Sequence, residues 1–190
     1  MAKHFGFVAT GEIVHVLLET YAASDAMNQL ILTRLNPRAW RAKVPGTQGG
    51  GGRTIAAIFA HVHNDRLVKL RHSAPHLKRP APVDPARCTV KQAAAAHKKS
   101  TAACLQMMKE ALSGKADRRV TKFSRDAVTK VWPAGATMFA YMFSHEAHHR
   151  GQILMLAHQL GYRLPIQTVM GGIWMWDKLW KQCGFTAGPR

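Results

Sequence analysis

Cysteine is scarce in this 190-residue chain, and the three present, Cys88, Cys104 and Cys183, form no C-x-x-C pair. Their odd number and wide separation argue against a disulfide framework and a cysteine-rich zinc site, and suit a reducing compartment. Acids are also few: ten Asp and Glu stand against 27 Lys and Arg, a formal charge of +17. No apolar run approaches the roughly 20 residues that cross a bilayer. The N-terminal stretch carries Glu12 and His15 within its apolar part and has no cleavage-like end, so it makes a poor signal peptide. A cytoplasmic protein with no membrane partner is expected.

The charge is uneven. Arg66–Lys130 holds sixteen Lys and Arg against four acids, so +12 of the +17 lies in the middle third. Such a balance attracts polyanions at low salt. No RNP-like aromatic strand, zinc finger or helix-turn-helix pairing accompanies it, so a solvated basic surface is favoured over nucleic-acid binding. A hydrophobic share of 47% is ordinary for a globular fold, and the length suits one domain, 1–190, rather than two.

Helical periodicity dominates what is present. The first helix is expected from about Glu12 to Leu35, with Leu17, Tyr21, Ser24, Met27 or Asn28, Ile31 and Leu35 in one row, ending at Asn36-Pro37. A loop follows through PGTQGGGG, Pro45–Gly52. Its register misses that of a phosphate-binding loop, because Thr47 falls where the first Gly belongs and Arg53 replaces the Lys, so it is read as a connector. A second helix is expected over Thr54–Ser73 and, past a Pro-rich link, a third over Thr89–Ser113, stopped by Gly114. Lys115–Pro133 reads as basic and irregular, with no convincing strand pair anywhere. A fourth helix spans Ala136–Leu160 up to Gly161, and a short fifth lies around Gly172–Gln182. The expected fold is all-α: an antiparallel four-helix bundle with a short additional C-terminal helix.

Eleven His make an imidazole metal site feasible. On the fourth helix, Met138, Met142, His145, His149, Ile153, Leu156 and Leu160 step by three and four along one face. Residues four apart can bring two imidazoles to one ion. On the second helix, His61 lies in a row with Ile58, Asp65 and Val68, and His63 in a row with Phe59, Leu67 and Leu70, so either could supply a third nitrogen. Three protein nitrogens would leave a position open for water or substrate.

HEAHH, His145–His149, also satisfies the zinc-protease pattern H-E-x-x-H. Its partners are missing. The metzincin Gly would fall one place later than Gly151, the third His position is Met155, and no Glu follows Glu146. Proteolysis is therefore not the expectation.

HVHNDR on the second helix, YMFSHEAHHRGQILMLAHQLGYRLP on the fourth and GGIWMWDKLWKQCGF near the end resemble the DinB/YfiT-like superfamily, closely over residues 138–185 and loosely over 12–120. The resemblance implies a four-helix bundle, commonly a homodimer, with one divalent transition metal on three His: His61, His145 and His149, with His63 the rival for the first place. Zinc or nickel is the first expectation, although three imidazoles also accept iron, copper and cobalt. Some members activate a low-molecular-weight thiol, as thiol S-transferases or in isomerising maleylpyruvate, and others are hydrolases. The implied function is metal-dependent transfer or hydrolysis of a small molecule, with a thiol S-transferase as the specific form and a non-enzymatic binder of nucleic acid or an acidic partner as the rival. No residue is assigned a catalytic role. Arg150 and Gln152 flank the ligands and are candidates to anchor substrate or to brace a ligand. Trp174, Trp176 and Trp180 are read as closing an end of the bundle or a dimer contact.

Overall fold

The computed structural model describes residues 11–43, 53–127 and 131–174. The glycine-rich loop, most of the expected fifth helix, Trp176, Trp180, Cys183 and the side chain of Trp174 lie outside the described residues. The chain is mostly helical. Four long helices, α1 (Gly11–Arg34), α2 (Ile55–Ser73), α3 (Val90–Leu112) and α4 (Ala136–Gln159), fall within a residue or so of the expected spans. Local chemistry sets their ends. The Thr54 hydroxyl accepts from the Ala57 N–H at the start of α2, and Thr89 with Gln92 forms a capping box at the start of α3. Gly114 (φ 66°) and Gly161 (φ 77°) take the left-handed conformation just beyond α3 and α4, where a side chain would be strained.

The expectation of no strand pair needs correction. Within the stretch read as irregular, Lys122–Phe123 pairs antiparallel with Trp132–Pro133. Phe123 is fully buried and packs near Trp132 and Tyr141, so aromatic packing holds a ladder too short to leave a period in the sequence. At the end of the described residues one helical turn, α5 (Ile166–Thr168), runs into a wider π-type turn over Val169–Trp174, which reaches only the start of the expected fifth helix.

The helices are not uniformly antiparallel. Phe59 meets His97 and Arg66 meets Thr101, so α2 and α3 run in the same direction. Tyr21 meets Glu146 and Asn28 meets Arg150, so α1 and α4 also run together. The α1–α3 and α2–α4 pairs are antiparallel, as Asp25–His97 with Gln29–Ala94 and Asp65–His145 with His61–His149 indicate. The reason is the link between α2 and α3. A 19-residue helix is about 28 Å long, and sixteen extended residues reach about 50 Å, so residues 74–89 can travel back along α2. Asn64 pins them, donating to the Val83 carbonyl (2.9 Å) and accepting from the Val83 N–H (3.0 Å). Each of α1 and α2 packs on both α3 and α4, contacts compatible with a four-helix bundle.

The interior is layered. One apolar cluster gathers Met27, Ile31, Ile55, Phe59, Ala93 and Ile153, and a second gathers Tyr21, Leu70, Met107, Met108, Met138 and Met142. On every long helix a buried polar stretch lies between the two: Ser24, Asp25 and Asn28; His63 and Arg66; His97, Ser100 and Thr101; Glu146, His149 and Arg150. Buried polar groups are costly unless paired, and these are paired chiefly with one another.

Candidate metal centre

α2 and α4 meet in antiparallel register at this polar level, and His61, His145 and His149 converge there. Their ligating nitrogens all lie within 4.8 Å of one another. The ring centroids of His61 are 5.5 Å from His145 and 4.7 Å from His149. Nε2 of His145 and Nε2 of His149 are 3.2 Å apart.

The surroundings decide what those two nitrogens carry. His149 Nδ1 lies 2.8 Å from Oε1 of Gln152, an acceptor, so Nδ1 holds the ring proton and Nε2 presents a lone pair. His145 Nδ1 faces Oδ2 of Asp65 at 3.4 Å, which favours the same tautomer. Two lone pairs thus face each other, an unfavourable arrangement that a cation between them would relieve. Imidazole nitrogens bound tetrahedrally at about 2.0–2.1 Å stand about 3.3–3.4 Å apart, close to the separation found.

Charge is arranged accordingly. Burial depresses all three imidazoles, His145 to about 4, and His61 and His149 in the same direction. The nearby Asp65 carboxylate opposes the effect in each without cancelling it. The rings are neutral at pH 7, as a metal requires. Tyr141 stacks on the other side of His145, its ring nearly parallel at 5.9 Å, with the Lys69 ammonium over it. Lys69 also pairs with Asp65, fixing the carboxylate behind His145.

The sequence left His61 and His63 as alternatives, and the structure separates them. His63 is fully buried, with Nε2 2.9 Å from the Ala81 carbonyl and Nδ1 3.0 Å from Ser100 Oγ. It ties α2 to the link and to α3, away from the cluster.

Glu146 turns inward, not toward the three His. It is 2% exposed. Arg66 Nε donates to its Oε1 at 2.8 Å, Arg66 Nη2 pairs with Oε2, and the Tyr21 hydroxyl donates to Oε1. The same guanidinium reaches Asp25 (3.2 Å) and Thr101 (2.8 Å). Gln152 sits beside His149 as the flanking position suggests. Arg150 does not share that place: it is buried against α1, donating to Ser24 Oγ (2.9 Å) and Asn28 Oδ1 (3.3 Å). The step from 149 to 150 carries the side chain about 100° round the helix, and that rotation takes it to α1.

Sequence reasoning assigned no role to Asp65 or Arg66. Asp65 had a usable signal, being four residues after His61 and four before Lys69 on one face. Arg66 had none of its own, because its carboxylate partners, Asp25 and Glu146, stand on two other helices.

Neither the curated proteins nor the solved structures yield a match to this chain. A family model does, over residues 12–178, a span that takes in all three His and the four long helices that position them. The chain belongs to the DinB family.

Proposed function

We propose that this protein is a metal-dependent enzyme acting on a small molecule by transfer or hydrolysis, with a thiol S-transferase as its specific form. One divalent ion, zinc or nickel first, would be held by His61, His145 and His149 in a DinB-type four-helix bundle. The observation that carries the reading is the convergence of His145 Nε2 and His149 Nε2 at 3.2 Å with both rings oriented from behind. Bound there, an ion with an open position supplies Lewis acidity that lowers the pKa of a thiol or water.

The chain's own residues have separable tasks. Asp65 orients His145, and Gln152 orients His149. Tyr141 and the buried Lys69 close one flank against water. Glu146 is occupied by Arg66 and Tyr21 and is not offered to substrate, which separates this chemistry from that of a zinc protease. Family membership supports the metal, and the buried free thiols Cys88 and Cys104 suit a cytoplasmic setting. A homodimer is the assembly that the family resemblance implies.

The test is a thiol-transfer assay with glutathione, cysteine and other small thiols against 1-chloro-2,4-dinitrobenzene. Activity lost to chelator and restored by added zinc or nickel supports the reading. Activity indifferent to chelator contradicts it.

The basic middle third favours a second reading, a non-enzymatic binder of nucleic acid or an acidic partner. The structure reduces its surface, because Arg66 and Lys69 are 1% exposed and paired with acids. Affinity for DNA that survives metal removal and falls steeply with salt would support it.

A further inference from the structure

Beside the three His, an open cleft of about 700 Å³ lies between the start of α2 and the outer face of α4, a size suited to a small organic molecule. Its walls differ in chemistry. Ile58, Leu156 and Met155, the last 58% exposed, form an apolar side, while Arg53, His148, Gln152 and Gln159 supply the polar groups. Gln152 belongs to both places: its Oε1 braces His149, and its Nε2 lies 3.0 Å from His148 Nε2. A molecule in the cleft is therefore one side chain away from the centre.

Arg53 is the cation of this cleft. It lines the cleft together with His148 and Gln152. None of the ion pairs among the described residues uses it, and no carboxylate among them lines the cleft. A guanidinium beside apolar surface matches an oxyanion on an apolar body.

We propose that this cleft binds a small amphiphilic oxyanion, a carboxylate or phosphate on an apolar chain, with the anion on Arg53 and the chain on Ile58, Met155 and Leu156. This rests on the metal-enzyme reading for its catalytic meaning, since such a molecule would be the second substrate. As a binding site it stands separately. Gly151 offers a direct check. It lines the cleft, and a Cβ built there meets no atom within 4 Å, so a larger side chain fills the cleft without disturbing the helix.

The test measures binding of octanoate, octyl phosphate, octanol and octylammonium by calorimetry, on metal-loaded and metal-stripped protein. Octanoate or octyl phosphate should bind about tenfold or more tighter than octanol, and the stronger of the two identifies the headgroup. Arg53→Ala should remove that preference, whereas Arg71→Ala, an equal loss of charge on the surface of α2, should keep it. Gly151→Leu should abolish binding of all four probes with metal content and helicity unchanged. Equal affinity for octanoate, octyl phosphate and octanol, equal effects of the two Arg variants, or full binding by Gly151→Leu overturns the proposal. Arg53-dependent binding to a chain that takes up no metal would sustain the cleft and remove the enzyme reading. Metal-dependent thiol transfer without octanoate or octyl phosphate binding would do the reverse.

Discussion

Arg66 and Glu146 form a buried pair, Nε to Oε1 at 2.8 Å, directly beside the face where Asp65 backs His145. Neighbouring residues on α2 and α4 thus make two contacts between the same helices: Asp65 with His145 at the open side, Arg66 with Glu146 inside. The Glu of HEAHH is a structural ion, and its neighbour is the candidate ligand.

Glu146→Gln tests this division. The substitution keeps the size of the side chain but leaves the Arg66 charge short of a partner, and breaking such a buried pair costs about 3–5 kcal/mol. Urea denaturation should therefore show a large loss of stability, with metal content retained by the folded fraction. A stable variant that lost only catalysis would instead make Glu146 a catalytic base.

His61→Ala and His63→Ala should part in their effects. The first should lower metal content with little loss of stability, because its ring is half-buried at the open side. The second should keep the metal but destabilise the fold by about 1–3 kcal/mol, because it leaves Ser100 and the Ala81 carbonyl short of a partner. Elemental analysis and thermal melts of the two variants provide the check, and reversed effects would exchange the roles.

Residues behind the ligands should matter in a graded way. Asp65→Asn and Gln152→Ala should each weaken metal affinity by about 10–100-fold while leaving binding measurable, read by competition with a chromogenic chelator. Wild-type affinity in Gln152→Ala would mean that the bond to His149 does not orient the ring.

Acid should release the metal late. In the metal-free chain His145 is drawn down to about 4, and His61 and His149 are also lowered. Folding therefore favours the neutral rings. Their contribution to stability is present above the ordinary imidazole value of about 6.5 and is lost as pH falls from there, for His145 toward about 4. Because metal competes with protons only where the rings of the folded chain titrate, affinity should stay flat from pH 7 past the ordinary imidazole value of about 6.5. It should fall only as pH reaches the lowered values, toward about 4 for His145. Metal release followed between pH 8 and 4 checks this. A midpoint above 6.5 would contradict it.

Much of this was legible in residue spacing, and the part that was not has a physical cause. The row Met138, Met142, His145, His149 and Ile153 placed two imidazoles on one apolar face, and that face is where they lie. The capping threonines and terminal glycines set the helix ends because those effects are local. Helix direction was not local: it depends on where the 74–89 link crosses, and Asn64 gives no sign in sequence that its partner is Val83. His61 and His63 could not be separated by periodicity, since both rows of α2 contain apolar neighbours and the choice depends on what α3 and α4 present. The same limit hid Arg66, whose burial follows from carboxylates on two other helices.

The central claim is tested most directly by metal content per chain, measured by elemental analysis on untagged protein for wild type and His145→Ala. The account predicts about one divalent ion per wild-type chain and almost none in a variant that keeps its helicity. Little metal in both proteins, or equal metal in both, would contradict it.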